Sequence, residues 1–164
     1  MNAERYQIRI AKDHLVFCAG HFISYEGDKC ERLHGHNYRA AVEIEGPLDA
    51  NYYLFDFIAL KRLTKAITDE LDHRMLLATR NVLIKLEESP ERVRVTYRGR
   101  EWVFPHGDCV LLPIENTTAE LLARYIGQRL LASLNTECNF VPDLMRVEVE
   151  ENVGQSATWQ SADV

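Results

Sequence analysis

The chain has 164 residues, 46% of them hydrophobic and 27% charged, with a formal net charge of −6. That length and balance suit one soluble domain with a real core; no apolar run is long enough for a membrane span, and no basic stripe offsets the acidic charge as nucleic-acid binding would require. Cys18, Cys30, Cys109 and Cys138 form no Cys-x-x-Cys pair or disulfide framework, and no basic-then-apolar leader opens the chain, so a reducing, cytoplasmic location is expected.

Tyr6, Ile8 and Ile10 alternate with Gln7 and Arg9, the period of a half-buried strand. The pattern resumes at Leu15-Val16-Phe17 and ends at Gly20-His21. Residues 22–33 carry Ser, Gly, Asp and Lys without periodicity and read as a loop. A second strand opens at His34, where His34, His36, Tyr38, Ala40, Val42 and Ile44 share one parity and Arg39, Glu43 and Glu45 the other. The two imidazoles therefore continue the inward, apolar row. Gly46-Pro47 ends the strand.

Asp56 is a credible N-cap for a helix over 57–71, with Phe57, Leu60, Leu63 or Thr64, Ile67 and Leu71 on its apolar stripe. That helix delivers Asp72-His73 at its C-terminal end. Further on, Val93, Val95 and Tyr97 alternate, Arg98-Gly99-Arg100 turns, and Trp102 and Phe104 alternate back, which predicts a hairpin. Residues 109–113 form another short extended piece. Thr117 and Glu120 make a capping box for a helix over 118–134, with Leu122, Ile126, Leu130 and Ser133 or Leu134 inward. Met145, Val147, Val149 and Glu151 share the inward parity of a third core strand, and 156–160 form the last. A buried carboxylate is costly, so Glu151 must reach solvent or hold a partner. The order predicts an α+β domain with two helices on one face of an antiparallel sheet.

The densest chemistry lies in Cys30-Glu31-Arg32-Leu33-His34-Gly35-His36, with His21 one loop upstream. His34 and His36 project from one face of an extended chain, and Gly35 leaves room for close approach by another group. A third imidazole from His21 completes a three-nitrogen site with one position open, as in a catalytic zinc centre. Zinc ranks first, although copper, nickel and iron also accept imidazole.

Phe17-x-Ala19-x-His21, then Cys30-x-x-x-His34-Gly35-His36-x-Tyr38, then Leu71-Asp72-His73 resembles the 6-pyruvoyltetrahydropterin synthase family, which includes the 6-carboxytetrahydropterin synthases. The resemblance runs from Tyr6 to Trp159, with one long extra segment at about 80–115. It implies the tunnelling fold, in which sheets join between subunits into an oligomeric barrel, commonly a homohexamer with shared sites. It also implies 7,8-dihydroneopterin triphosphate as substrate and Zn2+ on His21, His34 and His36, acting as a Lewis acid. Cys30 matches the family's catalytic cysteine, a base when thiolate. Asp72 and His73 match its other catalytic positions, His73 moving a proton and Asp72 orienting it. Glu151 matches the pterin anchor, or Glu150 if the strand bulges, and Thr118 is placed beside it at the substrate. The family usually has Pro where this chain has Thr117.

The expected reaction yields 6-carboxytetrahydropterin, acetaldehyde and triphosphate. The alternatives are elimination of triphosphate to 6-pyruvoyltetrahydropterin, or a pterin- or purine-binding module without turnover. A zinc hydrolase on an unrelated fold would leave Cys30 and an inward Glu151 unexplained. A branch feeding folate synthesis carries Glu in place of the cysteine, so Cys30 counts against it. A polyanionic substrate needs local cations, for which Lys12, Lys29, Arg32 and Arg39 are available. His14, His106, Cys18, Cys109 and Cys138 match no catalytic position.

Overall fold

The computed structural model describes residues 4–161, the side chain of Lys12 excepted. The chain runs through β1 (Tyr6–His21), β2 (Ser24–Tyr25), β3 (Lys29–Cys30), β4 (His34–Gly46), α1 (Phe57–Leu71) and β5 (Arg74–Ala78). It continues with β6 (Lys85–Glu88), β7 (Arg92–Tyr97), β8 (Arg100–Pro105), a 3-10 turn (His106–Asp108), β9 (Cys109–Leu112), α2 (Ala119–Cys138), β10 (Leu144–Asn152) and β11 (Gln155–Gln160).

The main sheet has the order β11-β10-β4-β1-β5-β9. Its first four strands are antiparallel, as the alternation predicts, but β5 joins β1 and β9 joins β5 in parallel. The sheet is therefore mixed rather than wholly antiparallel. The chain leaves β4, crosses through α1 and returns alongside β1, and such a crossover is what a parallel pair needs. The unpredicted β5 is a short apolar run buried on both faces, with Leu76 and Ala78 in the main core and Met75 and Leu77 in a second cluster. Periodicity cannot identify a strand of that kind.

The long β1 contains an irregularity that decides where His21 points. Pairing passes from Ala11 opposite Ala41 to Val16 opposite Arg39, so extra residues bulge out on the β1 side. Before the bulge the buried residue is even-numbered, Ile10; after it Leu15, Phe17, Ala19 and His21 are buried. The slip flips the parity and turns the last residue of β1 into the protein.

Both helices bury their stripes in one core with β1, β4 and β10. Asp56 caps α1 as expected, accepting from the Ile58 N–H at 2.8 Å. Leu63 and Thr64 are both buried, whereas Phe57, placed on the stripe by its spacing, is half exposed. α2 starts one residue late and runs on to Cys138, where Asn139 ends it in the left-handed conformation (φ 48°). Gly127 of α2 lies directly beneath the Trp159 ring, where any side chain would collide. The segment between β5 and β9 holds more than the predicted hairpin, because β6 pairs with β7 to make a three-stranded sheet. Its tight turn has Arg98 (φ 42°) and Gly99 (φ 81°) at the centre, the two positive angles of a hairpin turn. Nor is 22–33 a plain loop, since β2 and β3 pair around Glu26-Gly27.

Candidate active site

The β1–β4 ladder sets His21 opposite His34 and Ala19 opposite His36. Residues two apart on a strand share a face, so His34 and His36 project together and His21 meets them from across the ladder. Ring centroids are 4.7 Å apart for His21–His34, 5.2 Å for His21–His36 and 4.9 Å for His34–His36. Gly35 permits this approach. A methyl group there would stand 2.9 Å from the Ala19 carbonyl oxygen and push the strands apart.

Two of the rings are fixed from behind. His21 Nδ1 donates to the Thr117 carbonyl at 2.9 Å and His34 Nδ1 to the Arg32 carbonyl at 2.8 Å. A carbonyl can only accept, so each ring carries its proton on Nδ1 and offers Nε2. His21 Nε2 is buried without a hydrogen-bond partner among the described residues, a costly state unless a ligand binds it. Glu151 Oε1 lies 2.9 Å from His36 Nε2, though without the alignment of a hydrogen bond. One donor atom from each of His21, His34, His36 and Glu151 falls within 4.8 Å of the others. The three imidazoles fit a zinc ion with a fourth position left open, and the Glu151 carboxylate lies beside them. Burial pushes the His21 pKa down to about 4, against the Thr117 carbonyl and with the help of the neighbouring imidazoles. The ring is thus neutral, its ligating form, at neutral pH.

The expected capping box does not form. Thr118 is the N-cap of α2 but makes no side-chain cap, and the buried Thr117 hydroxyl donates to the Phe22 carbonyl at 3.3 Å, beside His21 Nδ1. Position 117 thus orients a ring rather than starting a helix. Thr118 and Glu151 line one pocket of about 350 Å³ with His21, Gln155, Ser156 and Ala157. The bulge that would bring Glu150 inward is present. Pairing of β10 with β11 slips between Glu150 and Asn152, and Glu150 is buried 3.8 Å from Arg39. Both carboxylates are therefore drawn in. Glu151 reaches the imidazoles and Glu150 a guanidinium.

Asp72 and His73 form a dyad at the end of α1. Asp72 Oδ1 accepts from the Cys18 N–H at 2.7 Å, and Oδ2 lies 2.8 Å from His73 Nδ1. The Cys18 N–H, and then His73, hold the Asp72 carboxyl below its usual range despite some burial. His73 takes a left-handed backbone (φ 56°), unusual for a residue with a side chain, and its N–H donates to the Cys18 carbonyl at 2.6 Å. Its imidazole is 82% exposed, over a groove shared with His34, Leu33 and Asp108.

Cys30 stands apart from these groups. Half-buried on β3, it packs against the apolar cluster of β5 and β7, and its thiol bonds the Glu31 carbonyl at 3.5 Å rather than an imidazole. Burial pushes the thiol up, the Arg100 guanidinium pulls it down and Glu31 pushes it up, the net shift being upward. The carboxylate facing the cluster from this loop is that of Glu31, 3.9 Å from His34 Nε2. Glu31 is not among the site residues expected from sequence, although alternation along an extended chain sends it to the face opposite Cys30. Of the candidate phosphate groups, Lys29 pairs with Glu26, Arg39 lies near Glu150, Arg32 is exposed, and the Lys12 side chain lies outside the described residues. His106 pairs with Glu88 at the surface.

Sheet, helices and a histidine cluster at the end of the central ribbon define an α+β protein of the tunnelling-fold class, with a site suited to a metal. The chain belongs to the 6-pyruvoyl tetrahydropterin synthase family, whose model matches residues 10–162. A protein of Methanocaldococcus jannaschii assigned as a 6-carboxy-5,6,7,8-tetrahydropterin synthase is 29% identical over 161 residues, 98% of this chain and 94% of that one. One from Pyrococcus horikoshii with the same assignment is 35% identical over 115 residues, 70% of this chain and 68% of that one. The structure resembles Plasmodium vivax 6-pyruvoyltetrahydropterin synthase, in a variant replacing a catalytic glutamate, with a TM-score of 0.90 at 26% identity, covering 98% and 99% of the two chains. Membership makes the chain an enzyme of lyase type acting on pterins. No helix among the described residues is long and apolar enough to cross a membrane.

Proposed function

We propose that the chain is a zinc-dependent lyase that converts 7,8-dihydroneopterin triphosphate and one water to 6-carboxytetrahydropterin, acetaldehyde and triphosphate. The observation that carries this reading is the convergence of His21, His34 and His36, with His21 Nε2 buried and unpartnered. Zinc held there supplies Lewis acidity to the substrate side chain. Glu151, with Thr118 in the adjoining pocket, anchors the pterin, its two oxygens accepting from the ring amino group and adjacent N–H. Asp72 holds His73 by Nδ1 and stabilises its cation, leaving Nε2 to take or return a proton. Cys30 is the base of this reading and must become thiolate against its burial.

An imidazole as exposed as that of His73 suits a site completed by a neighbouring subunit. The apolar groove lined by Tyr6, Leu48, Tyr53, Phe57 and Ile58 gives a homo-oligomer, a homohexamer in this proposal, a surface to bury. Cytoplasmic location and a role towards 7-deazaguanine and queuosine belong to the same proposal.

One observation favours a second reading. Glu31 rather than Cys30 faces His34, and the Plasmodium vivax relative has a catalytic glutamate. With Glu31 as base the reaction is side-chain cleavage of the glutamate-bearing, folate-directed branch, in which the triphosphate stays on the departing fragment. Mass spectrometry of a metal-loaded incubation with 7,8-dihydroneopterin triphosphate separates these outcomes. A carboxylated pterin with acetaldehyde is expected. A phosphorylated two-carbon fragment establishes the Glu31 reading, a pyruvoyl pterin the elimination, and bound but unchanged substrate the binding module.

A further inference from the structure

We propose that the β7–β8 hairpin is a clamp on the segment bearing Cys30 and Glu31, and that Arg100 is the positioning residue at its tip. Three consecutive non-glycine residues around the hairpin turn all engage residues 28–31. The Tyr97 hydroxyl donates to the Asp28 carbonyl, Arg98 Nη2 lies 3.0 Å from Asp28 Oδ2, and Arg100 donates from Nη1 to the Cys30 carbonyl at 3.0 Å and from Nη2 to the Glu31 carbonyl at 2.9 Å.

A planar guanidinium that binds two successive carbonyls fixes the peptide between them. The two side chains it separates are then aimed apart, Cys30 into the apolar cluster and Glu31 towards His34. Arg100 is itself held, with its guanidinium over the Trp102 ring at 4.6 Å. Trp102 in turn stacks on Phe22 at 4.7 Å, one residue past the ligand His21. The segment between Phe22 and His34 is therefore gripped near both ends by one hairpin.

The outgoing strand has other anchors, since Ser24 bonds to Asn116 and Asn81. The return strand has fewer: β2 and β3 are two residues each, and a Glu31 N–H to Ile23 carbonyl bond of 3.0 Å and an Ile23 N–H to Glu31 carboxylate bond of 3.4 Å close their base. A hairpin that small is marginal in water. The 80–115 segment thus has a job at the site, that of setting which way the two candidate bases face.

The catalytic half of this inference rests on the proposed lyase activity, so the test has a readout that does not. Hydrogen exchange and steady-state kinetics are measured on the zinc-loaded full chain carrying Arg100→Ala, Arg100→Lys or Tyr97→Phe. In Arg100→Ala, amides of 28–33 should exchange about tenfold faster or more, from loss of two charge-assisted hydrogen bonds. Amides of β4 and α2 and the zinc content should stay at the wild-type level. Arg100→Lys should recover only part of the protection, lacking the fork, and Tyr97→Phe should loosen the region near Asp28 alone. Turnover in Arg100→Ala should fall about tenfold with KM within about twofold, the signature of a misplaced base rather than lost binding. Wild-type exchange over 28–33 in Arg100→Ala overturns the clamp, as does a rise spread equally over β4 and α2. If the wild type itself turns nothing over while the exchange pattern is as expected, the lyase reading fails and the clamp stands.

Discussion

The two halves of the candidate site are built in opposite ways. The imidazoles sit on the longest strand pair of the sheet, with rings oriented by backbone carbonyls and backed by a fully buried Tyr38. The acid–base groups sit on peripheral supports: Cys30 and Glu31 on a two-residue strand and its flank, His73 on an exposed left-handed corner. A metal centre needs fixed donor positions, whereas proton-transfer groups must meet a substrate that enters and leaves. In this proposal the metal donors are held by the ladder itself, and the candidate bases by a clamp from outside it.

Replacing one imidazole should break the contrast most completely. His36→Ala is expected to lose bound zinc and about a thousandfold or more of activity while the fold survives, as metal analysis, kinetics and circular dichroism will show. Cys30→Ala should keep its zinc and lose about a hundredfold or more of turnover, and Glu31→Gln should keep its zinc with a smaller loss. If the two losses exchange places, Glu31 is the base and the product should change class with it.

The pH response sharpens the rigid half. His21 is depressed from 6.5 to about 4, so between those values the unfolded chain binds protons that the folded chain does not. Metal-free protein should therefore be fully stable above pH 6.5 with respect to this group, and lose on the order of 3 kcal/mol as pH falls to 4. Denaturant titrations of wild type and His21→Gln should show a shallower slope for the variant over that window. Smallest in chemical effect is Gly127→Ala. Its new methyl meets the Trp159 ring, so it should cost about 1–3 kcal/mol of stability with zinc affinity unchanged.

The same division explains what could be read from the amino acids. Parity placed His34, His36 and Glu151 on inward rows, and the structure leaves His34 exposed at the strand end while His36 and Glu151 are half-buried beside each other. Asp56 announced α1 because a cap and its first turn are local. Glu31 lay within reach of simple alternation beside Cys30, but the other misses depend on residues distant in sequence. Thr117 has the spacing of a capping box, yet its hydroxyl bonds the Phe22 carbonyl at 3.3 Å, an interaction that no local pattern encodes. β5 is covered on both faces and so shows no alternation. Arg100 looks like a turn residue until the fold brings the Cys30 carbonyl to it.

X-ray absorption spectroscopy of the zinc-loaded protein tests the account at its centre. Nitrogen and oxygen neighbours alone are expected, at about 2.0–2.2 Å, with three imidazoles in the shell. A sulfur neighbour at about 2.3 Å would make Cys30 a ligand, and the separation of a rigid metal centre from a clamped base would be wrong.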